Sequence, residues 1–105
     1  MPTRIARTWR GRTRAEEAEA YAAYLEETGV RALRATPGNE RVLILRRVDG
    51  AEAEFWVISL WRDMVYVSAF AGTDATRARY FPEDARYLLE MTPDVIHYEI
   101  VIDES

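Results

Sequence analysis

The chain contains no cysteine, which excludes disulfides, thiolate metal sites and a cysteine nucleophile. It also contains no lysine, since all 14 basic residues are arginine. Schiff-base chemistry and a lysine-bearing phosphate loop fall with it. The single histidine, His97, leaves no multi-histidine cage within one chain, so no metal site is expected. No apolar run approaches the ~20 residues of a bilayer span. The N-terminal arginines have no apolar segment behind them, as a secretory signal would. A cytoplasmic chain without membrane contact is the expectation. At a net charge of -4, only Arg4, Arg7, Arg10, Arg12 and Arg14 form a candidate basic patch, and a nucleic-acid partner is not expected.

What remains is ordinary globular composition: 105 residues, 49% hydrophobic and 30% charged, the size of one domain spanning 1–105. The stretch from Phe55 to Gly72 holds two of the three tryptophans and two of the three phenylalanines. Core and any aromatic-lined pocket should be organised around it.

Residues Thr3 to Gly11 alternate in the period of a strand, with Ile5, Arg7 and Trp9 on one face. Thr13-Arg14-Ala15-Glu16 matches a capping box and predicts a helix start. Ala18, Tyr21, Ala22 and Leu25 form one face of that helix, and Gly29 reads as its stop. Val30 to Ala35 fits either further helical turns or an irregular connection. Thr36-Pro37-Gly38-Asn39 is a break. Val42 to Val48 and Ala53 to Trp61 read as strands joined by an Asp49-Gly50 turn. The second of these is apolar on both faces, with Phe55, Val57 and Trp61 on one and Trp56, Ile58 and Leu60 on the other.

From Asp63 to Phe70 the pattern suits a capped helix ending at Gly72, or a returning strand. Pro82-Glu83-Asp84 marks another helix start, with Tyr87, Leu88 and Met91 on its apolar side and Thr92-Pro93-Asp94 as its end. Val95 to Ile102 is the last strand. The order predicts a ferredoxin-like α+β domain: an antiparallel four-stranded sheet with helices on one face. The other face would expose several hundred Å² of apolar surface. At ~25 cal/mol per Å² that predicts a homodimer packed sheet to sheet.

Five segments carry a family resemblance: Arg7-Thr8-Trp9-Arg10-Gly11; Thr36-Pro37-Gly38-Asn39; Ser59-Leu60-Trp61 running into Ala69-Phe70-Ala71-Gly72; Ala78-Arg79-Tyr80-Phe81-Pro82-Glu83-Asp84; and His97-Tyr98-Glu99. On these the chain resembles the antibiotic biosynthesis monooxygenase family of dimeric α/β barrels. The resemblance implies a homodimeric barrel, a helix after Asp63, and a pocket between sheet and helices in each subunit. Members of that family with a defined activity are cofactor-free oxygenases of aromatic polyketide-type substrates, haem-degrading enzymes, or quinol or signal-molecule oxygenases, and many others have no assigned activity. Haem-degrading members use an asparagine on strand one, a tryptophan ending strand three and a histidine on the next helix. Only Trp61 matches.

The candidate catalytic residues are His97, as general base or proton relay, and Trp61. Glu99, on the same strand face as His97, is a candidate to orient it and raise its pKa. Trp9, Phe70, Tyr80 and Tyr66 are candidate walls of an aromatic pocket, and Arg79 a candidate partner for a phenolate or carboxylate. Each also has a purely structural reading, in the core for the aromatic rings and on the surface for Arg79. Three functions follow: a cofactor-independent monooxygenase on a small aromatic or quinol substrate, a non-catalytic ligand-binding or stress-related barrel, or a haem-binding protein with His97 as axial ligand.

Overall fold

Alternating side chains build the first strand, β1 (Ile5–Arg14), in the computed structural model, which describes residues 3–105. The strand runs through Thr13, where a helix cap is predicted. Thr13 is fully buried, and its hydroxyl donates to the Arg14 carbonyl at 2.9 Å rather than capping anything. A 3₁₀ turn over Ala15–Glu17 leads into α1 (Ala18–Leu25), which buries Ala18, Tyr21 and Leu25 as the periodicity demands. The helix does not stop at Gly29. It widens into a π turn over Glu26–Val30 and continues as α2 (Arg31–Ala35). Extended backbone at Thr36 ends it, and Gly38 takes the left-handed φ of +89° that an L side chain resists.

Strands β2 (Asn39–Asp49) and β3 (Glu52–Trp61) form the expected hairpin. Helix α3 (Met64–Ala71) follows, its Asp63 cap accepting from the Val65 N–H at 2.9 Å. This settles the open choice after Asp63 as helix. The next helix, α4 (Asp84–Tyr87), is shorter than the predicted run to Met91. At Leu88 the backbone turns extended, bridges to Thr13 and lets the Leu89 N–H donate to the Arg12 carbonyl at 2.9 Å. Pairing with the end of β1 buries Leu88, a gain that another helical turn would forfeit. Strand β4 (Ile96–Glu99) is likewise shorter than predicted. Past it, the Ile100 N–H donates to the Arg4 carbonyl.

The sheet has four antiparallel strands in the order β2-β3-β1-β4, so the fold is ferredoxin-like α+β. Cross-strand partners share a face. Ile5, Arg7, Trp9, Phe55, Val57, Ser59 and Trp61 therefore lie beneath the helices, which cover one side only. On the other side the register places Leu45 opposite Trp56, Leu43 opposite Ile58, and Ile58 opposite Thr8, which faces Ile96 in turn. That side is uncovered, with Leu45, Ile96 and Tyr98 exposed at 44%, 58% and 53%. Among the described residues no helix is long and apolar enough to cross a membrane.

Candidate functional site

Strand β1 sends Arg7 and Trp9 to the helix side, and β3 sends Val57 and Ser59 beside them. Together they floor a cavity that α1 and α2 wall with Tyr21, Leu25 and Leu33. Gly29 lies in this wall, and a methyl group there would meet the Phe81 ring at 4.0 Å. Phe70, from the end of α3, closes one flank. The irregular segment before α4 supplies Arg79, Tyr80 and Phe81. The water-accessible space is about 70 Å³, several times the roughly 10–15 Å³ that one water needs by that measure.

Arg7 is the least expected occupant, being only 5% exposed. Its Nη1 donates to the Ala75 carbonyl and to His97 Nε2 (3.1 Å), and its Nη2 donates to the Arg77 carbonyl at 2.9 Å. All three acceptors are neutral. Desolvation pulls its pKa down from 12.5 to about 10. The guanidinium also lies 5.7 Å from the centre of the Phe70 ring. Arg79 stacks against the same ring at 4.8 Å and on Phe81 at 5.0 Å, while its Nη1 donates to the Phe70 carbonyl. Two cations thus share one aromatic wall.

Trp9 depends on Gly11: a Cβ at that glycine would sit 2.6 Å from Trp9 Cζ2, so only glycine lets the indole lie along the strand. Held there, the Trp9 indole N–H donates to the Tyr80 hydroxyl at 3.0 Å, which in turn donates to the Thr92 carbonyl at 2.6 Å. The two rings meet edge to face. Across the cavity, the Tyr21 hydroxyl donates to Asp84 Oδ1 at 3.0 Å and the Phe81 N–H donates to Oδ2 at 2.6 Å. Burial first, and the Asp84 charge second, push the Tyr21 pKa far above its ordinary value. Asp84, itself buried, is thus a structural clamp on the rim.

Of the predicted site residues, Trp9, Phe70, Tyr80 and Arg79 come together at the cavity; Trp61, Tyr66, His97 and Glu99 are not among its lining. Trp61 is fully buried, packs with Ile5, Leu33, Val67 and Phe70, and donates its indole N–H to Ser59 Oγ at 2.9 Å. It backs the wall without forming it. Tyr66 is drawn to the Gly38 turn, where it lies against that glycine and 5.4 Å beneath Arg62. His97 is half-buried behind Arg7, opposite it in the β1–β4 register. Its pKa is lowered, by burial first and the Arg7 charge second, the reverse of the upward shift expected from Glu99. Glu99 is exposed, opposite Ile5. Arg7, Ser59, Tyr21, Phe81 and Asp84 were not singled out as site residues. For Arg7 a signal existed: it alternates in phase with Ile5 and Trp9, on the more apolar face of its strand.

A haem does not fit these residues. Among the described residues no histidine lines the cavity, His97 Nε2 is occupied by Arg7, and the water-accessible space of about 70 Å³ is small beside a porphyrin.

No family model matches the chain, and no curated protein does. Solved structures do. A protein of unknown function from Nitrosomonas europaea aligns with a TM-score of 0.71 at 17% identity, over 98% of this chain and 94% of that one. A provisionally assigned antibiotic biosynthesis monooxygenase from the same organism aligns at 0.68 and 16% identity, over 96% and 93%. A haem-degrading protein from Mycobacterium tuberculosis aligns at 0.66 and 16% identity, over 97% and 99%. At these identities the likeness speaks to architecture, and it covers nearly the whole of each chain. Overlaid over nearly its whole length, the chain has the fold of these solved structures, a provisionally assigned antibiotic biosynthesis monooxygenase among them.

Proposed function

We propose that the chain is a cytoplasmic, homodimeric α/β barrel whose cavity binds a small electron-rich aromatic and oxidises it with molecular oxygen, without a bound cofactor. The observation that carries this reading is the pairing of aromatic walls (Trp9, Phe70, Tyr80, Phe81) with two guanidiniums on the Phe70 ring. Cations favour the anionic form of a bound hydroxyaromatic, and that anion is electron-rich enough to react with oxygen directly. A phenol-type substrate plus O₂ gives a quinone plus water: a C–O bond forms at the ring carbon, and the second oxygen leaves in the water. No external reductant is needed. Water takes the phenolic proton, and His97 acts on the site through Arg7 rather than as the base. The largely apolar wall limits the water that can reach the intermediate. A hydroquinone and hydroxyanthracene panel should consume oxygen faster than buffer controls, and no acceleration across the panel would defeat the reading.

A second reading, a non-catalytic binding barrel, is favoured by one observation. The carboxylate lining the cavity, Asp84, is committed to Tyr21 and the Phe81 N–H, so no free base faces the ligand among the described residues. Thermal stabilisation by a ligand recovered unaltered would select this reading. The dimer is supported by the uncovered apolar sheet face, where the buried Trp56 Nε1 has no hydrogen-bond partner among the described residues. A monomer mass by light scattering at micromolar concentration would remove it.

A further inference from the structure

We infer that Arg7 is a carboxylate anchor and that the cavity takes a small aromatic acid, its ring against Phe70 and Tyr80 and its carboxylate on the free edge of the Arg7 guanidinium. This rests on the reading of the cavity as a site for small aromatics, and it names their class.

A buried arginine ordinarily has an anion beside it, because an unpaired charge in the interior is costly. Arg7 has none among the described residues. Its three bonds go to two carbonyls and a neutral imidazole. The acid lining the same cavity, Asp84, is held by Tyr21 and Phe81. Nη1 spends both of its hydrogens on Ala75 and His97, whereas Nε–H and one Nη2–H make no bond among the described residues. Adjacent Nε–H and Nη2–H groups are a donor pair with which a guanidinium grips a carboxylate side-on. The lowered Arg7 pKa has the same origin, a desolvated cation with no anion to offset it. The rest of the wall is apolar or aromatic, and Arg79 adds a second cation at the rim. One deep positive group in an aromatic cavity on the scale of one ring suits a singly charged aromatic acid.

The test uses salicylate and its uncharged analogue salicylamide on the intact protein. Affinity is read by tryptophan fluorescence and site occupancy by NMR of the one histidine. Salicylate should bind at least about tenfold tighter, the scale of one charge-assisted hydrogen bond. It should also raise the His97 pKa, because the carboxylate offsets the Arg7 charge. Arg7→Gln should abolish the preference by weakening salicylate far more than salicylamide. Arg7→Lys, which keeps the charge and loses the fork, should retain part of it and serves if the glutamine variant does not fold. Equal affinities in the wild type, a preference that survives Arg7→Gln, or salicylate binding with no change at His97 would overturn the anchor. Salicylamide binding without carboxylate preference removes the anchor and leaves the aromatic site standing. Failure of both probes removes both.

Discussion

Arg7 Nη1 donates to His97 Nε2 across 3.1 Å. A guanidinium has no lone pair to offer, so the imidazole must accept, with its proton on Nδ1 and its charge at zero. Protonating His97 breaks this bond and sets two cations side by side. The folded-state pKa accordingly lies below the ordinary 6.5, through burial and then the Arg7 charge. Below about pH 6.5 the unfolded chain holds the extra proton and the folded chain does not, so stability falls with acidification from there. The contribution is complete above that pH. Wild type should lose thermal stability more steeply than His97→Gln between about pH 7.5 and about pH 5.5, measured by circular dichroism melts in matched buffers. Parallel slopes would contradict the assignment.

Asp84 clamps the rim by accepting from the Tyr21 hydroxyl and the Phe81 N–H. Alanine leaves two donors without an acceptor and should cost about 3 kcal/mol, at roughly 1–3 kcal/mol for each unsatisfied group. Asparagine still accepts from Phe81 through its oxygen and can donate to a rotated Tyr21 hydroxyl, so its cost should be about 1 kcal/mol. Urea unfolding of the two variants gives the comparison. Equal losses would mean that the charge matters and the hydrogen bonds do not.

Gly11→Ala tests the seat of Trp9. The new methyl collides with the indole, which must swing away from Tyr80 and break their 3.0 Å hydrogen bond. Destabilisation of about 1–3 kcal/mol is expected, the range for overpacking a tight site. Trp9 emission, obtained by difference against Trp9→Phe, should shift to the red as the ring meets water. An unchanged spectrum would show that the ring does not depend on the glycine.

On the uncovered sheet face, Ile58 pairs with Leu43 on one side and Thr8 on the other. Aspartate there puts a charge in the centre of the proposed dimer contact and should yield a monomer by light scattering, with a melting temperature that no longer rises with protein concentration. A dimer that survives Ile58→Asp would place the contact elsewhere.

Much of the architecture was legible because strand periodicity and glycine–proline punctuation are local. The alternation of β1, the Asp49-Gly50 turn and the apolar faces of β3 each follow from side chains a few residues apart. The misread boundaries all involve partners distant in the chain. Thr13 reads as a cap until Leu88 pairs with it, and the helix at Pro82 reads long until the same contact ends it. Gly29 reads as a stop, yet the helix passes through it as a π turn beside Phe81.

Composition alone limited the chemistry: without cysteine or lysine, and with one histidine, thiolate, Schiff-base and histidine-cage mechanisms are unavailable to this chain. The sequence also determined which aromatic residues were candidates for a pocket. Which of them share one was a tertiary decision. Trp61 went to the core because its strand end lies under α3, and Tyr66 to the Gly38 turn because only glycine leaves room for its ring there. Arg7 became the centre of the site because strand pairing set it opposite His97 while the loop after α3 turned the carbonyls of Ala75 and Arg77 onto it. No local pattern encodes a buried cation held by neutral acceptors 68 to 90 residues away; only the folded chain brings them together.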